Sequence, residues 1–154
     1  MIYVSTGGSV LPFLRLIKKM DEIAGEIDEK VIIQGGVNYI AKHAEYKNYL
    51  SREEADETVR QARLVISHAG AGITVKAIEF LTPIIIVPRL AKLNEHFNDH
   101  QLELATVLEE RKGIKVIYDI DLLKEAISFS EIPQPGTGRK KLVEAIREYV
   151  VTLG

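Results

Sequence analysis

The segment Ser67–Thr74 has the residue types of an anion-binding turn. It reads Ser-His-Ala-Gly-Ala-Gly-Ile-Thr and joins an apolar run to a helical pattern. Glycines let a ligand approach the backbone closely, and the free N–H groups at the start of a helix attract negative charge. The segment therefore predicts a phosphate site, for which a diphosphate is the natural ligand. The alternative is a strand-to-helix turn that needs glycine for its geometry alone.

His68, the second residue of this turn, has two interpretations. Its imidazole is either a contact for a phosphate or nucleotide, or a hydrogen-bonded histidine at the end of a strand. An imidazole suits both roles because it donates and accepts hydrogen bonds. The residue type alone leaves both interpretations open.

A second polar cluster contains two histidines with metal-ligand spacing. His96 and His100 are four residues apart, so on a helix they would share a face. With a neighbouring carboxylate, Glu95 or Asp99, they would ligate a divalent metal. The H-E-x-x-H motif of metalloproteases has its general base directly after the first histidine, where this chain has Phe97. That substitution counts against a metal-dependent hydrolase.

The same cluster, residues 94–101, has two further interpretations that involve no metal. In one, Asn98 or Asp99 caps a helix and the histidines are exposed. In the other, polar side chains at the helix start hydrogen-bond the ribose or the diphosphate of a nucleotide held at the glycine turn. The second interpretation joins the two clusters into one site.

Composition and missing motifs exclude or disfavour several classes of protein. The chain has no cysteine, which excludes disulfides, thiolate metal sites and a cysteine nucleophile. Its formal net charge of −2 gives no reason to expect nucleic-acid binding. No G-x-G-x-x-G follows the first strand and no acidic residue ends the second, which disfavours a nicotinamide dinucleotide site. The absence of G-x-x-x-x-G-K-[ST] disfavours a P-loop.

The candidate residues follow short apolar runs that predict buried strands. These runs are rich in β-branched residues and lack alternation, as is typical of parallel strands covered on both faces. The predicted strands are Ile2–Val4, Val31–Ile33, Leu64–Ser67, Ile84–Val87 and Lys115–Tyr118, with a sixth short strand within Tyr46–Leu50.

Helical patterns separate these strands. The first has its apolar face from Leu11 to Ile27, with Ser9 as N-cap and Asp21 among its outward charges. Ser51 and Glu54 have the spacing of a capping box, which predicts a helix from there to about residue 62. Further helices are predicted over residues 74–81, from 98 or 99 to 110, over 122–126 and over 139–151.

This alternation predicts a Rossmann-like α/β fold with one parallel sheet of five or six strands and helices on both faces. The length of 154 residues suits a single domain, which we place at residues 1–154. Open parallel sheets bind ligands beyond the carboxyl ends of their strands. The loops that follow the strands are therefore expected to form the site.

Three segments taken together resemble one enzyme family. They are LVISHAGAG at 64–72, PIIIVPR at 83–89 and NEHFNDHQLELA at 94–105, and Thr6-Gly7-Gly8 also fits. The chain resembles the C-terminal domain of glycosyltransferase family 28, one half of the GT-B architecture, over nearly its whole length. It is most similar to small stand-alone subunits of the eukaryotic dolichol-linked N-acetylglucosaminyltransferase and of bacterial exopolysaccharide synthesis (PssE-like). The second half of the peptidoglycan enzyme MurG is a similar domain.

The resemblance implies a site for a nucleotide sugar, usually a UDP-sugar such as UDP-GlcNAc or UDP-glucose. The glycine turn would line the diphosphate, and the second cluster would approach the sugar, ribose or phosphates, with Gln101 foremost. The implied binding residues are Thr6, Gly7, Gly8, Gly70, Ala71, Gly72, Thr74, Arg89, Asn98, Asp99, His100 and Gln101. One position departs from the family: Lys76 stands where many relatives have a glutamate for the ribose hydroxyls, which leaves the nucleotide open.

The resemblance also implies a reaction and a partner. GT-B enzymes work in a cleft between two Rossmann-like halves, and this chain has one half. By resemblance, the other half is a membrane-anchored subunit that binds a lipid-linked sugar acceptor, and the sugar is transferred to it without a metal or cofactor. The base comes from that partner, or is His68 or Glu95.

The alternative is a nucleotide- or nucleotide-sugar-binding module without catalysis of its own. Such a module would associate with itself, and a homodimer is also expected for the isolated donor half. No apolar stretch approaches the roughly 18 residues that cross a bilayer, and no secretory signal pattern opens the sequence. We therefore expect a cytoplasmic protein that lies at the membrane through its partner.

Overall fold

The centre of the fold is a six-stranded parallel sheet. The computed structural model describes residues 1–133, 143–144 and 146–148. The strands are β1 (Ile2–Ser5), β2 (Val31–Gln34), β3 (Glu45–Lys47), β4 (Leu64–Ser67), β5 (Ile84–Ile86) and β6 (Ile114–Val116). They lie in the order β3-β2-β1-β4-β5-β6, and every neighbouring pair is parallel. The predicted sheet is confirmed, including the sixth strand.

Helices cover both faces of this sheet. They are α1 (Leu14–Ala24), α2 (Arg52–Gln61), α3 (Ala71–Glu79), α4 (His100–Leu108) and α5 (Leu123–Ala126), with 3₁₀ turns at Ala91–Leu93 and Ile120–Leu122. The helix predicted over 139–151 falls mostly outside the described residues, of which 143–144 and 146–148 are helical. No helix of the described residues is long and apolar enough to cross a membrane.

The central strands β1, β4 and β5 are buried at every position and almost entirely apolar, because both of their faces are covered. Successive residues of a strand point to opposite sides of a sheet. In β1, Val4 belongs to the apolar layer under α1, whereas Tyr3 belongs to the layer that contains α2, α3 and α4. Since neither layer meets water, alternation is absent, as the sequence indicates.

The strand order places three loops side by side at one edge. The chain order runs outward from β1 to β3 on one side and from β4 to β6 on the other. The sheet therefore has its topological switch point between β1 and β4, which is where open α/β sheets bind ligands. The loops after β1, β4 and β5 are neighbours at that point.

The first helix begins later than predicted, because a tertiary contact sets its start. The N-cap of α1 is Phe13, which makes no side-chain capping bond, and Ser9 instead accepts a hydrogen bond from the Leu11 N–H at 3.2 Å. The Phe13 ring is fully buried and lies under the guanidinium of Arg89. The guanidinium carbon is 4.9 Å from the centre of the ring. The prediction of Ser9 as the N-cap is wrong.

The capping box of α2 is confirmed. The Ser51 hydroxyl accepts from the Glu54 N–H at 3.1 Å, and the Glu54 carboxylate accepts from the Ser51 N–H at 2.8 Å. Both donors belong to the first turn, where a helix has no partners of its own for them. Local sequence alone determines this helix start.

Asp21, predicted to face outward on α1, is buried. Its carboxylate accepts hydrogen bonds from the backbone N–H groups of Lys42, His43 and Ala44 and from the Tyr39 hydroxyl, all at 2.9 Å. Burial raises the pKa of Asp21, but these four bonds outweigh it, so the pKa lies below its ordinary value. The carboxylate thus holds the loop between β2 and β3 against α1.

We expect Asp21→Asn to destabilise the protein by about 2 kcal/mol, because an amide loses the charge-assisted bonds and turns an N–H₂ group toward backbone donors. Urea unfolding at pH 7 measures this. The same change at exposed Asp28 should alter the free energy of unfolding by no more than about 0.5 kcal/mol. Because the folded pKa of Asp21 is lowered, its contribution is full above the unfolded pKa and is lost as the pH falls through the folded pKa. Equal stability of the two variants would contradict the assignment.

Candidate functional site at the carboxyl edge of the sheet

The loops after β1, β4 and β5 contact one another at the carboxyl edge. Arg89, after β5, donates from its guanidinium to the carbonyl oxygen of Thr6, after β1. Gln101, in the first turn of α4, accepts from the N–H of Ala69, after β4, at 3.1 Å. The structure therefore brings the three sequence-predicted segments into one cluster of loops.

Arg89, predicted as a ligand contact, instead joins two loops of the protein by hydrogen bonds. Its side chain is fully buried, and its guanidinium donates to the carbonyl oxygens of Thr6, Leu11 and Glu95, the latter two at 2.8 Å. Burial lowers the pKa of Arg89, while the nearby Glu95 carboxylate raises it. The guanidinium thus joins the loop after β1 to the loop after β5.

Glu95, one of two predicted candidates for the catalytic base, is also an anchor. The residue is 4% exposed, and both carboxylate oxygens face the Nε–H of Arg15, at 2.9 and 3.3 Å. Arg15 further donates to the carbonyl oxygen of Pro88 at 3.1 Å. This ion pair fixes the loop to α1, and the closed geometry does not suit a base that must reach an acceptor hydroxyl.

The Gln101 amide lies between two loops. Its oxygen accepts from the N–H of Ala69 at 3.1 Å and from the N–H of Arg89 at 3.0 Å, and its nitrogen lies 3.0 Å from Nδ1 of His68. The side chain is buried. The residue that the resemblance puts foremost for the sugar therefore has most of its hydrogen-bonding capacity engaged within the protein.

His68 packs against two glycines. A Cβ built on Gly7 would lie 2.3 Å from Nε2 of His68, and a Cβ on Gly70 would lie 2.2 Å from its Cε1. Burial, and then the charges of Arg89 and His96, lower the pKa of His68 to about 3. The imidazole is neutral at pH 7, and such a weakly basic group is a poor general base.

The turn at Gly70–Gly72 begins α3 without a side-chain cap. Gly70 is the N-cap, and the first turn contains no acidic side chain. The hydroxyl of Thr74, a buried residue predicted as a ligand contact, donates to the carbonyl oxygen of Gly70 at 2.7 Å and so stabilises the turn. A Cβ on Gly72 would meet nothing within 4 Å, which leaves open space beside the helix start.

Thr6, also predicted to bind the ligand, is completely buried. Its hydroxyl lies 2.9 Å from the carbonyl oxygen of Gly35 and 3.2 Å from that of Gln34, to which it donates. It therefore ties the loop after β1 to the loop after β2. Gly8, two residues on, is exposed at the same edge.

The second cluster builds the start of α4. The Asn98 side-chain oxygen accepts from the His100 N–H at 3.1 Å, and that of Asp99 accepts from the Ala91 N–H at 3.1 Å. Because α4 begins at His100, His96 precedes the helix and the two histidines share no helical face. Within the described part of the chain, no group of three His, Asp or Glu side chains is placed to hold a metal ion. The hydrolase interpretation has no ligand set there.

A groove of about 590 Å³ runs along α3 from the glycine turn. It is lined by Arg52, Ala71, Gly72, Val75, Lys76, Glu79, Val143, Ile146 and Arg147. Lys76, at the position where the resemblance implies a glutamate, lies 3.0 Å from the Asp56 carboxylate and 4.0 Å from that of Glu79. The groove is therefore lined by apolar side chains and by three cations, Arg52, Lys76 and Arg147. The Lys76 ammonium is paired with the Asp56 carboxylate of α2.

Sequence analysis missed Arg15 and Phe13, which support the site from α1. Arg15 pairs with a residue 80 positions away, and no local pattern separates it from a solvent-facing helix cation. No local pattern shows that a guanidinium lies on the ring of Phe13. The strand order decides both contacts.

Fold and site together define a Rossmann-like domain whose carboxyl edge presents an uncapped helix start and a glycine-rich turn. The family model of the glycosyltransferase family 28 C-terminal domain matches residues 1–128. The chain belongs to this family. The resemblance given by the three sequence motifs is thereby confirmed.

One curated relative is similar over part of the chain. The human UDP-N-acetylglucosamine transferase subunit ALG13 is 40% identical over 63 residues. The match covers 40% of this chain and 5% of that protein, so the chain spans only a small part of its length.

Solved structures share the fold at low sequence identity. The glycotransferase of kitacinnamycin has a TM-score of 0.60 at 14% identity, covering 98% of this chain and 39% of that one. The solution structure of ALG13 has a TM-score of 0.59 at 16% identity, covering 91% of both chains. MurG from Acinetobacter baumannii has a TM-score of 0.57 at 17% identity, covering 82% of this chain and 40% of that one. The predicted fold of half a GT-B enzyme is confirmed.

We expect Gly7→Ala to destabilise the protein by about 2 kcal/mol or more, because a Cβ there overlaps the His68 ring and the φ of +77° disfavours side chains. Gly8→Ala is the matched control, since a Cβ at Gly8 meets nothing within 4 Å. Chemical denaturation of both variants measures the difference. If Gly7→Ala proves as stable as Gly8→Ala, the imidazole does not lie where we describe it.

Proposed function

We propose that this chain is the donor-binding, catalytic subunit of a two-component glycosyltransferase. It transfers a sugar from a nucleotide sugar to a lipid-linked acceptor that a membrane-anchored partner holds. The observation that carries the proposal is the uncapped start of α3 at the switch point of the sheet, beside an open groove. Family membership supports the reaction class.

The helix start supplies the attraction for a diphosphate. The first N–H groups of a helix have no partner within it, and the helix dipole puts partial positive charge there. Gly70 and Gly72 carry no side chain that would block an approaching phosphate, and no carboxylate in the first turn repels it. The same N–H groups would stabilise the charge that develops on the departing diphosphate.

The groove along α3 would receive the nucleoside. It begins at Ala71 and Gly72, where the diphosphate is proposed, and its apolar side chains suit a base. The printed name of the human relative, a UDP-N-acetylglucosamine transferase subunit, supports a UDP-sugar. Lys76 is paired with Asp56. The groups that the groove offers to the ribose hydroxyls are therefore cations and the Glu79 carboxylate, and position 76 supplies no glutamate.

A partner would supply the other wall of the cleft. The described residues form one sheet, and the matched structures of MurG and the kitacinnamycin glycotransferase are more than twice as long as the part covered. Holding donor and acceptor in reactive geometry is worth about 7–11 kcal/mol, which a single wall cannot provide. The partner would cover the cluster of loops at the carboxyl edge and place the protein at the membrane.

The alternative is a nucleotide-binding module without catalysis. The contacts of the two candidate bases favour it, since Glu95 is paired with Arg15 and His68 is weakly basic and bonded to Gln101. In the catalytic proposal the base therefore belongs to the partner. A transfer assay with and without the partner separates the two functions.

We expect the chain to bind UDP-sugars or GDP-sugars without a divalent metal, and Gly72→Val to abolish that binding, because its side chain fills the space where the diphosphate approaches. Calorimetric titration of a nucleotide-sugar panel, with and without chelator, measures this. Thr106→Val, on the exposed side of α4, is the control for a valine introduced into a helix. Undiminished binding by Gly72→Val would place the diphosphate elsewhere, and no heat across the panel would refute the nucleotide site.

We expect no measurable sugar transfer by this chain alone and full turnover once a membrane-anchored acceptor subunit is added, because one wall of the cleft cannot orient both substrates. Transfer from a labelled nucleotide sugar to a lipid-linked acceptor is measured with each component alone and with both together. As a control for self-association, the Gly72→Val variant is added to the chain in place of the partner. This mixture should show no sugar transfer. Turnover by this chain alone would overturn the two-component proposal.

A further inference from the structure

The orientation of the Gln101 amide is determined by its surroundings. One atom of the amide lies 3.1 Å from the backbone nitrogen of Ala69 and 3.0 Å from that of Arg89. Both nitrogens carry a hydrogen, so the atom between them must be an acceptor, which only the amide oxygen can be. The amide nitrogen then faces the other way.

This orientation determines the protonation of His68. The Gln101 nitrogen lies 3.0 Å from Nδ1 of His68 and offers only N–H donors. Nδ1 must therefore accept and carries no hydrogen. In a neutral imidazole the hydrogen then resides on Nε2. Burial and the charges of Arg89 and His96 disfavour a second proton on the ring, because each raises the energy of the cation.

The Nε2–H group lies at the carboxyl edge, close to two loops. A Cβ on Gly7 would be 2.3 Å from Nε2, and one on Gly70 would be 2.5 Å from it. Gly70 is the N-cap of α3, so Nε2 is near the helix start that we propose for the diphosphate. Because Gly7 and Gly70 have no side chains, the imidazole has room between the two loops.

We propose that Gln101 is a positioning residue that fixes His68 as a neutral hydrogen-bond donor, with Nε2–H presented to an oxygen of the bound nucleotide. The only lone pair of the neutral ring is engaged by Gln101, so His68 acts as a donor and not as the base. The identity of the acceptor oxygen rests on the proposed function. The tautomer belongs to the free protein and does not depend on it.

Nitrogen NMR of the ¹⁵N-labelled imidazoles tests the tautomer in the free chain. Long-range proton–nitrogen correlations at pH 7 should show an unprotonated Nδ1 and a protonated Nε2 for His68. They should not change between about pH 5 and 8, where an ordinary histidine titrates. A protonated Nδ1 in the unaltered chain would overturn the proposal without any variant.

Gln101→Glu tests the cause. A carboxylate of the same shape still accepts from Ala69 and Arg89, but it presents an acceptor to Nδ1, so Nδ1 should become protonated in the spectrum. Gln61→Glu makes the same chemical change on exposed α2 and should leave the His68 signals unchanged. An unchanged tautomer in Gln101→Glu would show that Gln101 only packs there and would refute the positioning role.

UDP titration of the same proteins separates this proposal from the proposed function. We expect Gln101→Glu to bind UDP at least about tenfold more weakly than the unaltered chain and Gln61→Glu to bind as it does. Equal affinity with a changed tautomer would refute the contact between Nε2–H and the nucleotide. If the unaltered chain fails to bind UDP, the nucleotide site is wrong, while the spectra still decide whether Gln101 sets the tautomer.

Discussion

The buried guanidinium of Arg89 is the interaction on which the carboxyl edge depends. Burying a cation costs less when it is hydrogen-bonded, and the two terminal nitrogens of the Arg89 guanidinium donate to carbonyl oxygens of Thr6, Leu11 and Glu95. These carbonyls belong to the loops after β1 and β5. The Arg89 backbone N–H binds Gln101, which also holds the loop after β4. One residue thus connects all three loops of the switch point.

Building the edge engages most of the polar side chains that line it. Thr6 bonds to the loop after β2, Thr74 to the turn that precedes its own helix, and Glu95 to Arg15. At the glycine turn, the backbone N–H groups of the α3 start have no side-chain cap, and the tautomer that we propose leaves Nε2–H of His68 as a further donor. Groups of this kind are fixed before a ligand arrives, so binding requires little reorganisation.

The groove beside α3 contains Lys76 at the position where the resemblance to the family implies a glutamate. Lys76 forms an ion pair with Asp56 on α2, and both side chains are partly buried. That pair links α3, which begins at the glycine turn, to the preceding helix, α2. In the proposed function, the choice of nucleotide therefore depends on this contact between two helices as well as on the turn.

The sequence by itself determined the features that arise from neighbouring residues. β-branched apolar runs gave the parallel strands, the Ser51 and Glu54 spacing gave the start of α2, and the glycine turn gave the edge at which a ligand is expected. Family-typical motifs added the fold of half a GT-B enzyme. These features were accessible because the responsible interactions lie within a few residues along the chain.

The tertiary structure alone decided which polar side chains are free and which are engaged. Asp21 is buried by a loop about twenty residues away, and Arg15 meets Glu95 across 80 residues. Gln101 and His68 are 33 residues apart, so their bond and the tautomer that it sets have no local signature. Strand order brings such residues together, and a carboxylate, amide or imidazole has the same appearance in the sequence whether it binds a ligand or its own protein.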